Sequence, residues 1–368
     1  MLWLLPLLQV INPLPTDCHP KAGTNARILG LFQFIHSMRP LIVLSLRRLG
    51  ETGSISHPRF DFPQQHFGKQ MSRRRDGRHF LIGGSDNDPA RSRIQTLLAN
   101  KMHGISFSAY REGQGPGDAL PRQQIEHRMS IIAPHFRWVR SFATTQGNNM
   151  IPEVARAHGL QTLVGAWLGT DQEKNRQELD NLVILAQQGY VDVAAVGNEV
   201  LYRGDLTEDQ LLAFITEARE RIPASVPIGY VDAYYEFEDR PRVTAACDVL
   251  LTNCYPFWEG CAHPYAILYM QDMFRRVQRL ADGRRVIISE TGWPSAGGNF
   301  YGAEPSPESA FRYFLDAMEW AADEDIEMFY FSSFDEPWKV AGDAGEGDVG
   351  AHWGLWGKDE QFKYAEAL

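Results

Sequence analysis

The sequence predicts an α/β protein whose eight parallel strands close into a (β/α)8 barrel, and two observations predict it. From His103 onward, short apolar, β-branched or aromatic runs alternate with amphipathic segments, as repeated βα units do. Eight such runs occur, at 104–109, 136–142, 162–167, 193–198, 227–232, 249–254, 286–289 and 328–334. Eight units over residues 103–365 match the roughly 250 residues that a TIM barrel needs.

Each element has its own signal. Val193-Ala194-Ala195-Val196 and Val286-Ile287-Ile288 are apolar throughout, as parallel strands covered on both faces must be. Between them, Leu179, Leu182, Val183 and Ala186 form a helical stripe that Gly189 closes as a C-cap. Leu211, Phe214, Ile215, Ala218 and Ile222 form a second, opened by a Thr207/Gln210 capping box. Ser306-Pro307 reads as N-cap and N1 of a helix carrying Phe311, Phe314, Leu315 and Met318. An open doubly wound sheet is the competing architecture, and it wants a glycine-rich phosphate turn after its first strand. The chain there reads Tyr110-Arg111-Glu112-Gly113-Gln114-Gly115-Pro116, which has no GxGxxG.

The barrel domain is expected over 86–368. Residues 1–85 are expected to be a poorly ordered or spurious extension, with Met71 as an alternative start. Their apolar stretch 1–14 lacks a positive n-region and holds two prolines, a poor match to a secretory signal. The cluster from Ile28 to Leu46 is broken by His36 and Arg39-Pro40, so neither run makes a membrane span.

The net charge of −10 is unevenly spread. The first hundred residues hold 13 Lys/Arg against 6 Asp/Glu, and the remainder 23 against 40. A folded part that acidic does not grip nucleic-acid phosphates, whereas neutral polymers stay open as substrates. The four cysteines, Cys18, Cys247, Cys254 and Cys261, show no CxxC pair and read as core or loop thiols. No set of three clustered Asp, Glu or His ligands ends the strands, so a metal-dependent barrel enzyme is not expected.

Barrel chemistry sits at the C-terminal ends of strands. Strand four ends Val196-Gly197-Asn198-Glu199, and strand seven runs Ile288-Ser289-Glu290-Thr291-Gly292-Trp293-Pro294. One glutamate in an acidic chain is ordinarily a solvated surface group. Two in equivalent places on strands facing each other across one mouth make a carboxyl pair, as cleavage of a glycosidic bond requires: one carboxyl protonates the leaving oxygen and the other, ionised, attacks the anomeric carbon. Asn198, beside Glu199, is placed to hydrogen-bond a sugar hydroxyl; otherwise it is a strand-end amide capping a loop.

The Val-Gly-Asn-Glu and Ile-Ser-Glu-Thr-Gly-Trp-Pro-Ser strings resemble glycoside hydrolase family 17, the β-1,3-glucanases and β-1,3-glucan transglycosylases. Phe334-Asp335-Glu336-Pro337-Trp338-Lys339 resembles that family's fungal and bacterial cell-wall branch more than its plant enzymes. The resemblance covers about 103–365 and implies a retaining mechanism with Glu199 as acid/base and Glu290 as nucleophile, without metal or organic cofactor.

Sugar rings bind by stacking on aromatics and by hydrogen bonds at their edges. Trp258 and Trp293, in polar or glycine-rich loops, are the expected platforms, with Tyr110 a further aromatic at a strand end. Tyr255 is expected to hydrogen-bond Glu290 and help keep it ionised. Glu336 and Lys339 resemble a charged pair that the family places near the cleft, although a plain salt bridge explains them equally. Arg140, ending strand two, is a candidate to orient a carboxylate, although an ion pair within the barrel mouth explains it equally, and Asp232, closing strand five, has nothing to distinguish it.

The expected activity is thus hydrolysis of β-1,3-glucan polysaccharide or oligosaccharide with retention, by a monomer that is secreted, periplasmic or at the cell surface, where such glucans lie. A transglycosylase using the same site and a non-catalytic carbohydrate-binding barrel are the alternatives.

Overall fold

The computed structural model describes residues 89–341 and 347–365. The expectations for residues 1–85 and for Cys18 lie outside the described residues.

All eight expected strands form, in a closed parallel barrel ordered β1 to β8. They are β1 (Met102–Ser106), β2 (Phe136–Ser141), β3 (Gln161–Ala166), β4 (Val193–Asn198), β5 (Ile228–Ala233), β6 (Val249–Asn253), β7 (Arg285–Thr291) and β8 (Met328–Tyr330). The helices wrapped around them are α1 (Pro89–Ala99), α2 (Arg122–Ile132), α3 (Ile151–Ala157), α4 (Gln172–Gln187), α5 (Glu208–Arg221), the short α6 (Tyr234–Asp239) and α7 (Pro241–Ala246), α8 (Ala266–Leu280), α9 (Pro307–Asp323) and α10 (Trp338–Ala341).

The sequence cues act where they stand. The Thr207 hydroxyl accepts from the Gln210 N–H and the reciprocal bond closes the capping box of α5. Ser306 caps α9 with Pro307 at its first turn. Gly189, at φ +80, lies past the end of α4, where its N–H reaches the Ala186 carbonyl. The largest boundary difference is β8, which ends at Tyr330 instead of running to Phe334. Beyond it the backbone pairs elsewhere, Ser333 N–H with the Ser106 carbonyl and Ser332 N–H with that of Trp353.

Two apolar layers result. Trp138, Leu163, Val193, Ala195, Val231, Val249, Leu251, Ile287 and Phe329 fill the barrel interior, each inward by strand alternation. A larger cluster packs the outward strand residues against the helices.

The parallel register breaks in three places, all toward the C-terminal ends. The β4–β5 pairing shifts between Ala195 and Asn198, the β6–β7 pairing between Thr252 and Asn253, and the β7–β8 pairing between Ile288 and Thr291. Such irregularities bend a strand and re-aim its side chains. Here they lie beside both glutamates.

Candidate active site

In an undisturbed strand, consecutive side chains leave on opposite faces. At the end of β4 this alternation fails. Gly197 sits at φ +89 and Glu199 at φ +51, a left-handed conformation uncommon for a residue with a Cβ. As a result two neighbours both serve the mouth: Asn198 Oδ1 accepts from Arg140 Nη2 at 2.6 Å, and Glu199 Oε1 accepts from Asn253 Nδ2 at 2.7 Å. The β7 irregularity does the same for Ser289 and Glu290, whose side chains both meet Asn253.

Asn253 therefore stands at the centre. Its Nδ2 reaches Glu199 Oε1 at 2.7 Å and Glu290 Oε1 at 3.2 Å. One nitrogen within those distances of both oxygens holds that pair of oxygens no more than about 6 Å apart. The Ser289 hydroxyl donates to Asn253 Oδ1 at 2.8 Å, which fixes the amide with its NH2 toward the carboxylates.

Glu290 is 6% exposed. Arg140 Nη1 lies 2.7 Å from its Oε1, and the Tyr255 hydroxyl donates to Oε2 at 2.7 Å. The Arg140 guanidinium is itself held by the Ser289 carbonyl and packs 4.3 Å from the Phe142 ring centre. Two donors and a cation thus converge on one buried carboxylate. Burial, then the Glu290 charge, drive the Tyr255 phenol well above its usual range, so it stays a donor.

Glu199 has a different setting. Burial, followed by the nearby Glu290 charge, pushes its carboxyl up to about 7, against the pull of the Asn253 bond and of Arg203 and Arg140. Arg203, after β4, donates to the Asn198 carbonyl and lies 4.6 Å over the Trp167 ring. A carboxyl whose proton affinity is raised by burial beside a second carboxyl suits a reaction needing an acid.

Of the other residues expected here, Asn198 and Arg140 join the carboxyl pair and Tyr255 binds Glu290. Trp258 is half-buried beside Trp353, at 5.7 Å between ring centres, and Trp353 meets Tyr255 at 5.4 Å. Glu336 and Lys339 pair at 3.4 Å and are buried, not an exposed ion pair; the Lys339 ammonium lies 4.3 Å from the Phe331 ring, which borders Tyr255. Tyr110 is buried against Trp338, its hydroxyl accepting from Asn148.

Trp293 requires a correction. It is 1% exposed, packs against Phe257, His263 and Tyr313, and donates its indole N–H to the Glu304 carbonyl. A ring with both faces covered offers no platform to a sugar. Its glycine-rich surroundings suggested an open ring, but residues 296–299 carry the exposure while the indole is enclosed.

Sequence reasoning missed Asn253, Ser289 and Arg203. Asn253 ends β6 as Asn198 ends β4, so the strand-end criterion applied to amides as well as acids finds it. Nothing local marks Ser289 or Arg203. Cys247, Cys254 and Cys261 are free and buried, as expected of core thiols. Among the described residues no group of three or more His, Cys, Asp or Glu is arranged to hold a metal ion, and no helix is long and apolar enough to cross a membrane.

Known proteins share this framework. The family described as the BtgE/BtgC glycoside hydrolase domain matches residues 104–354. A glucan 1,3-beta-glucosidase of Arthroderma benhamiae is 28% identical over 265 residues, 67% of this chain and 85% of that protein. One from Candida albicans is 27% identical over 263 residues, 65% of this chain and 85% of its own. The crystal structure of the glycoside hydrolase family 17 β-1,3-glucanosyltransferase from Rhizomucor miehei superposes with a TM-score of 0.63 at 29% identity, over 72% of this chain and 96% of that one.

Proposed function

The chain belongs to the BtgE/BtgC glycoside hydrolase family, and we propose that it cleaves β-1,3-glucan with retention, Glu290 acting as nucleophile and Glu199 as acid/base. It is a glycosidase of the family 17 β-1,3-glucanase type. The observation that carries the mechanistic reading is the single Asn253 nitrogen within hydrogen-bond reach of both glutamates. Carboxyls about 5–5.5 Å apart belong to direct attack, and those about 6.5–9.5 Å apart to inversion through an interposed water.

In the first step Glu290 attacks the anomeric carbon while Glu199 gives its proton to the departing glycosidic oxygen. The charge leaving Glu290 as its ester forms is drawn from a carboxylate that Arg140 and Tyr255 hold ready. Glu199, now ionised and relieved of the Glu290 charge, takes a proton from the incoming hydroxyl, which attacks the same carbon and frees Glu290. Water as that hydroxyl gives hydrolysis; a sugar hydroxyl gives transfer. The Rhizomucor miehei glucanosyltransferase favours keeping transfer as a second reading, and chains longer than the substrate among the products of a laminarin oligosaccharide would select it. The substrate class puts the enzyme's work at the cell wall or outside the cell.

The test is turnover of laminarin by Glu290→Gln and Glu199→Gln beside the parent, with the anomer of the first product followed by NMR. Each variant should lose activity by orders of magnitude, and the parent should release the β-anomer first. Parent-like turnover by either variant, or initial release of the α-anomer, overturns the mechanism.

A further inference from the structure

Tyr230 and Asp232 stand two residues apart on the outer side of β5, so both side chains leave the strand on one face. They are 1% and 0% exposed. The Tyr230 hydroxyl donates to Asp232 Oδ2 and accepts the Leu201 N–H at 3.0 Å. Asp232 Oδ1 accepts the Ala233 N–H at 2.8 Å, and Oδ2 accepts the Tyr202 N–H at 3.4 Å. Between them in sequence, the Val231 carbonyl accepts the Glu199 N–H at 2.7 Å. Three consecutive residues of β5 thus hold the backbone N–H groups of Glu199, Leu201 and Tyr202. The Tyr230 ring also lies under Gly197, where an added Cβ would meet it at 3.3 Å.

We infer that Tyr230 and Asp232 are a positioning pair for the acid/base: their buried hydrogen bonds hold the turn after β4 so that Glu199 keeps the left-handed backbone that aims its carboxyl at Asn253 and Glu290. The inference rests on the reading of Glu199 given above. A non-glycine residue at positive φ persists only where its surroundings over-determine it, and the side chains that do so here come from the neighbouring strand. A buried carboxylate and phenol are costly unless bonded, and both bond to this one turn and to each other. Relaxation of φ at Glu199 would carry the carboxyl away from Asn253 while leaving the barrel intact.

The experiment compares Tyr230→Phe and Asp232→Asn with the parent on two aryl β-glycosides of the β-1,3-linked disaccharide. The dinitrophenyl glycoside has a leaving group that needs no proton; the phenyl glycoside has one that does. Misplacing the acid should lower kcat/KM, which reports the first step alone, about tenfold for the phenyl glycoside and less than about twofold for the dinitrophenyl glycoside, with both variants still folded by circular dichroism. Equal slowing of the two substrates would reduce the pair to a structural role and overturn the inference, as would rates unchanged on both. Asp232→Asn keeps the shape of the side chain, so it reports even where loss of the phenol impairs folding. Glu199→Gln runs beside them. If it lacks leaving-group dependence, the acid/base reading falls; if it shows that dependence and the β5 variants do not, only the positioning role falls.

Discussion

Arg140 sets its guanidinium 2.7 Å from the Glu290 carboxylate, with both side chains almost wholly out of water. It reaches from β2 to β7 and spends its other contacts on the Asn198 amide and the Ser289 carbonyl, so one cation ties three strand ends together. Removing one partner of a buried pair leaves an uncompensated charge, a change that costs about 3–5 kcal/mol when it is not relieved by protonation. Either outcome would harm Glu290 in its proposed role as an anionic nucleophile. Arg140→Met should lower kcat/KM at least about a hundredfold and reduce Tm. Arg140→Lys restores the charge but not the fork that serves Asn198 and Ser289 together, so it should fall between the two. Equal activity of Met and Lys variants would show that the charge is not what matters.

Asn253 offers a sharper test because its bond to Glu199 holds that carboxyl down. With Asn253→Ala the donor is gone, so the proton affinity of Glu199 rises further. The basic limb of the kcat/KM profile should therefore move to higher pH, while kcat falls about a hundredfold from the loss of a preorganised donor. Ser289→Ala frees the amide oxygen of Asn253 without removing the amide and should cost less. A basic limb that stays in place in Asn253→Ala would count against the bond to Glu199.

The barrel was legible because its causes are local: apolar runs that both faces cover, caps at Thr207 and Ser306, and the glycine after α4. The glutamate pair was legible because strand ends are where a barrel exposes side chains. The amide between them was not read, because attention to acids passed over Asn253. The buried Trp293 was misread for a physical reason. A glycine-rich loop looks open in sequence, and only the packing of Phe257, His263 and Tyr313 shows that the indole at its start is enclosed. Asp232 was noted without a role because its partners, Tyr230 and the turn after β4, follow from the register of β5 against β4, which sequence alone does not supply.

The raised proton affinity of Glu199 also makes a stability prediction. The carboxyl is pushed up to about 7 in the folded protein against an ordinary value of 4.5. Between those values the folded chain keeps a proton that the unfolded chain has released, so stability is fully present below about 4.5 and declines as pH rises through about 7. Burial pushes Asp232 up to about 8, which extends the decline to higher pH. Glu199→Gln carries no titrating group there and should flatten Tm across this window relative to the parent, by at most about 1.4 kcal/mol per pH unit in stability. Parallel Tm curves for the two proteins would show that Glu199 ionises at its ordinary value. In activity the sign agrees: the proposed role of Glu199 as acid requires its protonated form, so kcat/KM should fall as pH rises through about 7.

Trp258 and Trp293 should separate binding from folding. Trp258 is half-buried, with Trp353 behind it and Phe300 at its side, a ring supported from within and partly open to solvent. Trp258→Ala should raise KM for a laminarin oligosaccharide several-fold, an aromatic contact being worth about 0.5–1.5 kcal/mol, and leave kcat on a small aryl glycoside near that of the parent. Trp293→Ala empties a fully enclosed site and strands the Glu304 carbonyl, so it should cost about 3–5 kcal/mol of stability. Its KM, measured below the melting transition, should stay close to the parent value. A several-fold rise in KM from Trp293→Ala without loss of Tm would return that ring to the cleft and contradict its burial here.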